Sequence, residues 1–469
     1  MTTPMQALGD LWRLAGGAPD ALAQVQLSGS DPQLPSSFKV GTAAQVSIAA
    51  AGLAAAETWR QRTGERQTVA VDMRHAAIEF RSERYLRIIG EEPPKAWDEL
   101  AGVYDAKSGR YVRLHTNFPH HRQAVLDVLK CEPTREAVQA ALANWDAEAF
   151  ETAVYAAGGV VAAMRAPKEW AAHPQGRALA ALPVLKITRI GDAPPRPLPP
   201  ADRPLSGIHV LDLSRVIAGP VAGRTLAAHG ADVMLIASPN LPSIPWLVID
   251  TGRGKRSAHV DLASKSGRET LQRLLKDADI FSQGYRPQSI AKLGFSPEDA
   301  ARVRPGIIYV SLSAYGAAGP WANRRGFDSL VQTATGSNHM EAEAAGIPGP
   351  KELPAQALDH ASGYLMAFGA MMARARQARE GGSWHVQVSL AQTGRWINGL
   401  GRLAGGFAGP DPALTDVADV LDDRWSGFGR LRAVRHAAVL SATPAQWARP
   451  AVPLGTDQPE WAADEINSP

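Results

Sequence analysis

Beyond residue 207 the apolar positions gather into short unbroken runs, each followed by a stretch with helical spacing. Ile208 to Leu213 (IHVLDL), Asp232 to Ile236 (DVMLI) and Ile307 to Leu312 (IIYVSL) predict strands. Their lack of polar alternation suits a sheet covered on both faces. Between the first two runs lie a Gly/Pro turn, Ile217 to Pro220, and an alanine-rich helix reaching His229. Lys265 to Lys276 carries Leu271, Leu274 and Leu275 at helical spacing and leads to a strand near Ala278 to Ser282. Alternating strand and helix predict a parallel, doubly wound α/β unit.

The segment 191–207 (GDAPPRPLPPADRPLSG) predicts a stiff, extended linker, because its prolines neither continue a helix nor donate to a sheet. Ahead of it, 101–190 reads as a small α+β domain. Gly109 to His115 alternates like a strand, Arg122 to Leu129 and Arg135 to Asn144 like helices, and Val184 to Ile190 like a closing strand. Further upstream lies a repeat. Ala44 to Val71 aligns without a gap on Ala361 to Val388, matching Gly52 with Gly369, Gly64 with Gly381, and Val69 and Val71 with Val386 and Val388. Each copy reads as a helix of small residues, a glycine stop and a strand. The alignment argues for internal duplication.

Composition adds exclusions. With 45% hydrophobic and 20% charged residues the chain is an ordinary globular sequence. The net charge of +3 is spread out, giving no footprint for nucleic acid or an anionic membrane. The single cysteine, Cys131, forms no intramolecular disulfide or cysteine metal cluster and predicts a small core residue. The N-terminus lacks a signal-peptide pattern, and the apolar stretch Ala43 to Ala56 is shorter than the ~20 residues of a membrane span. A soluble cytoplasmic protein is expected.

The turn Ala218 to Gly223 is not a G-x-G-x-x-G, no acid follows the second strand, and no P-loop occurs, so a nucleotide cofactor is not indicated. His115, His120 and His121 lack metal-ligand spacing and predict an exposed turn and helix start after Pro119. Asp359, in LDHASGYL before a helix of small residues, has two readings: a helix N-cap, or a carboxylate nucleophile that substrate can approach closely.

Six motifs in order resemble the family III (CaiB/BaiF) CoA-transferases, which share their fold with an acyl-CoA racemase. They are LSGIHVLDLSRVIAGPVAGRTLAAHGADVMLI (205–236), GKRSAHVDL (254–262), DIFSQGYRPQSIAKLGF (279–295), PGIIYVSLSAYGAAGPW (305–321), RRGFDSLVQTATG (324–336), and LDHASGYL with EGGSWHVQVSLAQT (358–365, 380–393). The resemblance implies a Rossmann-like CoA-binding catalytic domain at 208–400 and a closing segment at 401–469. It further implies that 1–100 is a partial, degenerate large-domain copy. The expected reaction moves CoA from an acyl-CoA thioester to a carboxylic acid, with no permanently bound cofactor and no metal.

On the same resemblance Asp359 is the nucleophile and Asp328 a supporting acid. Ile217, Ala218, Gly219 and Gly284 lie along CoA, while Lys255, Arg256 and Lys292 would meet it as cations. Gly405, Gly406 and Gly409 are the counterpart of a loop that shields the nucleophile. Phe327 stands where racemase-type relatives place histidine, which favours transfer over racemisation. An isomerase, or an inactive acyl-CoA-binding relative, is the alternative. Thr42 falls opposite Asp359 in the repeat, so the first copy is expected to be silent and structural, and the fused chain to act as a monomer or homodimer.

Overall fold

The largest element is a seven-stranded sheet in the order Lys255–His259, Asp232–Ala237, His209–Leu213, Ile280–Gln283, Ile308–Ser313, Ser383–Ser389 and Leu185–Gly191. The first six are parallel, and Leu185–Gly191 closes one edge antiparallel. The computed structural model describes residues 2–461. The inner parallel strands are largely buried, as runs without polar alternation require, whereas the edge strand Leu185–Gly191 buries only Leu185. Leu185–Gly191 was expected to close the small domain. It pairs instead with Ser383–Ser389, leaving Gly102–Ala106, Arg110–Leu114 and Val161–Ala163 as the small unit's own sheet.

Two helices of 24 residues, Val40–Thr63 and Ala357–Glu380, pack against each other through the centre. Both are buried around nearly their whole circumference, so neither has a polar stripe. Val40–Thr63 is long and apolar enough to span a membrane, contrary to the short stretch expected, but 94% of its apolar window is buried inside the protein. Gly52 and Gly369 do the same job in the two helices. A Cβ on Gly52 would meet Val69 and Ala438, and one on Gly369 would meet Val386 and Leu185.

That correspondence extends to the sheets. Val69–Asp72 pairs in parallel with Val25–Ser28 and antiparallel with Ala438–Leu440. Ser383–Ser389 pairs in parallel with Ile308–Ser313 and antiparallel with Leu185–Gly191. Val71 faces Ala438 as Val388 faces Leu185. The edge strand of the N-terminal sheet thus comes from the C-terminal tail. Gly429–Val434 likewise pairs with Arg87–Ile88.

The proline-rich segment is a fastened strap, not a free spacer. Arg62 donates to the carbonyls of Pro199, Pro204 and Ser206, Arg374 to that of Arg196, and Leu198 and Leu205 are buried. Cys131 is partly exposed at the edge of the small unit's core.

Candidate active site

The turn after His209–Leu213 is bent by Asp212, whose carboxylate accepts from the Ser214 backbone N–H at 3.1 Å and from its hydroxyl. Val216 within it has φ 73°, a strained setting for a β-branched residue. The Ala218–Ala228 helix follows with no side-chain cap. The Ala357–Glu380 helix lies against this start, for a Cβ on Gly363 would stand 2.5 Å from the Ala218 carbonyl oxygen. Small residues here serve helix-to-helix contact, where the sequence suggested access for substrate.

Between these parts opens a cleft of about 370 Å³ lined by Ile217, Ala218, Gly219, Gly284 and Asp359 among others. It sits beyond the carboxyl ends of His209–Leu213, Ile280–Gln283 and Ile308–Ser313, where parallel sheets commonly bind ligands. Asp359 is the third residue of its helix, and the N-cap is Gln356. The cap function expected of Asp359 falls to Asp328, whose carboxylate accepts the Asp359 N–H at 2.9 Å. Gln332 donates to the other oxygen of Asp328. Thr42 holds the matching place in the other long helix, where Asp31 accepts its N–H at 3.0 Å and its hydroxyl at 2.5 Å.

Burial dominates the electrostatics. It lifts the Asp328 carboxyl to about 6 and the Asp359 carboxyl well above the ordinary range, with repulsion from Asp328 and Glu83 adding to the rise of Asp359. Glu83 reaches in from the N-terminal portion, and His360 Nε2 lies 3.1 Å from its carboxylate. His360 also stacks on Phe80, on the side away from the cleft lining.

The expected cations are elsewhere. Lys255 is buried, paired with Asp212 at 2.7 Å and bonded to the Pro220 carbonyl, so it braces the turn from behind. Arg256 pairs with Asp232 and donates to the Glu460 carbonyl, pinning the tail. Both begin their strand, at the end opposite the cleft. Lys292 is exposed after a short helix and does not line the cleft. Arg215, Arg286, Arg324 and Arg325 line it instead.

The small unit adds Phe118, His120 and His121 to the cleft wall. The expected exposed turn is corrected here: His120 is exposed, but His115 and His121 are each 4% exposed. Burial drives both down to about 3, and they are neutral. Sequence reasoning met Arg324 and Arg325 in RRGFD and Arg215 in LSRV without assigning them. Nothing local signals the histidines, whose position depends on the packing of distant segments. Gly406 packs on Ser36 and Gly409 on Leu34 and Pro32, a Cβ on Gly405 would meet nothing within 4 Å, and none of the three lines the cleft with Asp359.

The profile of CoA-transferase family III matches residues 205–465. The chain belongs to this family. It is 32% identical to a probable fatty acyl-CoA transferase of Mycobacterium tuberculosis, across 45% of this chain and 58% of that protein. An acyl-CoA transferase of Gibberella moniliformis is 27% identical across 79% of this chain and 72% of its own length. A succinate–glutarate CoA-transferase of Agrobacterium fabrum is 30% identical across 41% of this chain and 52% of its own. Family membership is thus carried by the C-terminal portion, and the chain spans just over half of two of these three relatives. A crystal structure of the mycobacterial protein covers 42% of this chain with 32% identity and a TM-score of 0.39.

Proposed function

We propose that the protein transfers CoA from an acyl-CoA thioester to a carboxylic acid, with Asp359 as covalent carrier. The observation that carries this reading is Asp359 itself: among the described residues lining a cleft with four arginines, it is the one carboxylate. In the proposed cycle an Asp359 oxygen attacks the thioester carbonyl carbon, the C–S bond breaks, and CoA leaves as a thiolate. The thiolate then attacks the aspartyl carbonyl of the mixed anhydride, releasing the donor acid and leaving an aspartyl-CoA thioester. An acceptor carboxylate reverses the two steps and departs as the new acyl-CoA. The uncapped N–H groups of Ala218 and Gly219 are suited to stabilise the developing oxyanions.

Arg215, Arg286 and Arg325 suit the phosphates of CoA. An apolar recess next to them, lined by Leu235, Ala237, Ile244 and Leu247, suits its adenine ring. The sheet order, reversing beside His209–Leu213, supports a Rossmann-like, doubly wound reading of the catalytic domain. The paired helices, sheets and glycines support internal duplication, with each half's edge strand supplied by the other. Racemisation is disfavoured, because the histidine nearest Phe327 within the cleft lining, His121, is too weak a base to take an α-proton.

Incubation with acyl-CoA donors and intact-mass analysis tests the proposal. An acyl or CoA adduct that vanishes in Asp359→Asn is expected. CoA transfer at near-normal rate by Asp359→Asn would overturn it.

A further inference from the structure

The wall of the cleft beside Asp359 is neutral and aromatic. Phe327 immediately precedes Asp328, and its ring lies parallel to the buried His115 ring, 3.9 Å between centroids at 8°. With His115 covering one face, the part-exposed Phe327 presents the remainder to the cleft it lines. Phe118 lies 6.0 Å from it, and His121 meets it edge-on at 5.9 Å. Leu312 and Leu390 extend the apolar lining. Arg113 pairs with Glu352 and Arg324 with Glu151, Arg215 lies over the Phe118 ring and donates to the Pro242 carbonyl, and Arg325 donates to the Gly158 carbonyl; in the transferase reading Arg215 and Arg325 are further taken up by the CoA phosphates.

The charges that act on the Asp359 carboxyl are those of Asp328 and Glu83. A second carboxylate on the acyl chain would enter beside two like charges, at a desolvated site. A flat, uncharged acyl group would instead stack on Phe327, where aromatic pairs prefer offset or edge-on geometry.

Resting on the transferase reading above, we propose that this wall selects uncharged acyl groups with an aromatic or conjugated body over dicarboxylic acyl groups. Phe327 is the specificity-determining residue, and Phe118 and His121 complete the slot.

The test compares cinnamoyl-CoA and phenylacetyl-CoA with succinyl-CoA and glutaryl-CoA, in two readouts. Donor kcat/KM is measured on the native protein, and calorimetric binding on Asp359→Asn, which reads the pocket without the chemistry. The aromatic donors are expected to be preferred at least about tenfold in both. Phe327→Leu should cut that ratio several-fold, and Phe327→Tyr should restore most of it. Preference for succinyl-CoA or glutaryl-CoA in either readout, or a ratio unmoved by Phe327→Leu, overturns the proposal. A binding preference for aromatic thioesters without turnover of any donor would uphold this selectivity and overturn the transferase reading alone.

Discussion

As the proposed nucleophile, Asp359 combines two properties that conflict in water: it would have to ionise to attack, yet it is buried beside Asp328 and Glu83. Because its carboxyl is raised, the nucleophilic form is lost as pH falls through that raised value. The acid limb of kcat/KM should therefore lie above the ordinary carboxylate range. Asp328→Asn removes one repelling charge and should move that limb down. A limb left unmoved in the pH profile would break the link between the two residues. Raised carboxyls also favour the folded state in their protonated form, a contribution present at low pH and lost as pH rises. Asp359→Asn should thus gain melting temperature relative to the native protein at pH 8 more than at pH 5. Its transfer rate should fall on the order of a thousandfold.

At the scale of elements, the motifs made the parallel strands and the central helix legible, because an uninterrupted apolar run or a glycine stop reports its own burial. Lys255 and Arg256 were misread for a physical reason. A basic pair in a strand looks the same in sequence whether it faces a phosphate or a buried aspartate, and only the register against Val233 and Met234 reveals which. The arginines lining the cleft sit on turns and loops, where no periodicity marks them. Another charged set joins the elements: Arg224 pairs with Asp250 at 2.8 Å, Asp250 with Arg253 at 2.9 Å, and Ser82 donates to Asp250 at 2.6 Å, all buried. Removing one partner strands the others. Arg224→Met should cost about 3–5 kcal/mol by denaturant unfolding. A loss below about 1 kcal/mol would mean that this network contributes little.

Across the whole molecule, the halves are interleaved. Ala438–Leu440 completes the N-terminal sheet, Leu185–Gly191 completes the C-terminal one, and Ser82 and Glu83 reach the groups around Asp250 and Asp359. The likeness of the two long helices was legible in sequence because Gly52 and Gly369 have the same packing duty. The exchange of edge strands was not, since Ala438–Leu440 is only three residues long. From residues 1–100, expected to be silent and structural, Glu83 reaches the groups beside Asp359. Deleting residues 1–100 should abolish soluble expression, and the intact chain should unfold in one transition. A soluble, active truncation would contradict the interleaving.

The central claim is that Asp359 exchanges an oxygen with each acid it handles. Turnover with an acceptor whose carboxylate carries heavy oxygen tests this most directly, followed by mass analysis of the Asp359 peptide. In the proposed cycle the acceptor's oxygen forms the anhydride bridge, and CoA then attacks the acceptor carbonyl, leaving one heavy oxygen on Asp359. Label on Asp359 that depends on both the donor and the acceptor is the predicted result. Turnover that leaves Asp359 unlabelled, or that places the label on another residue, would contradict the account.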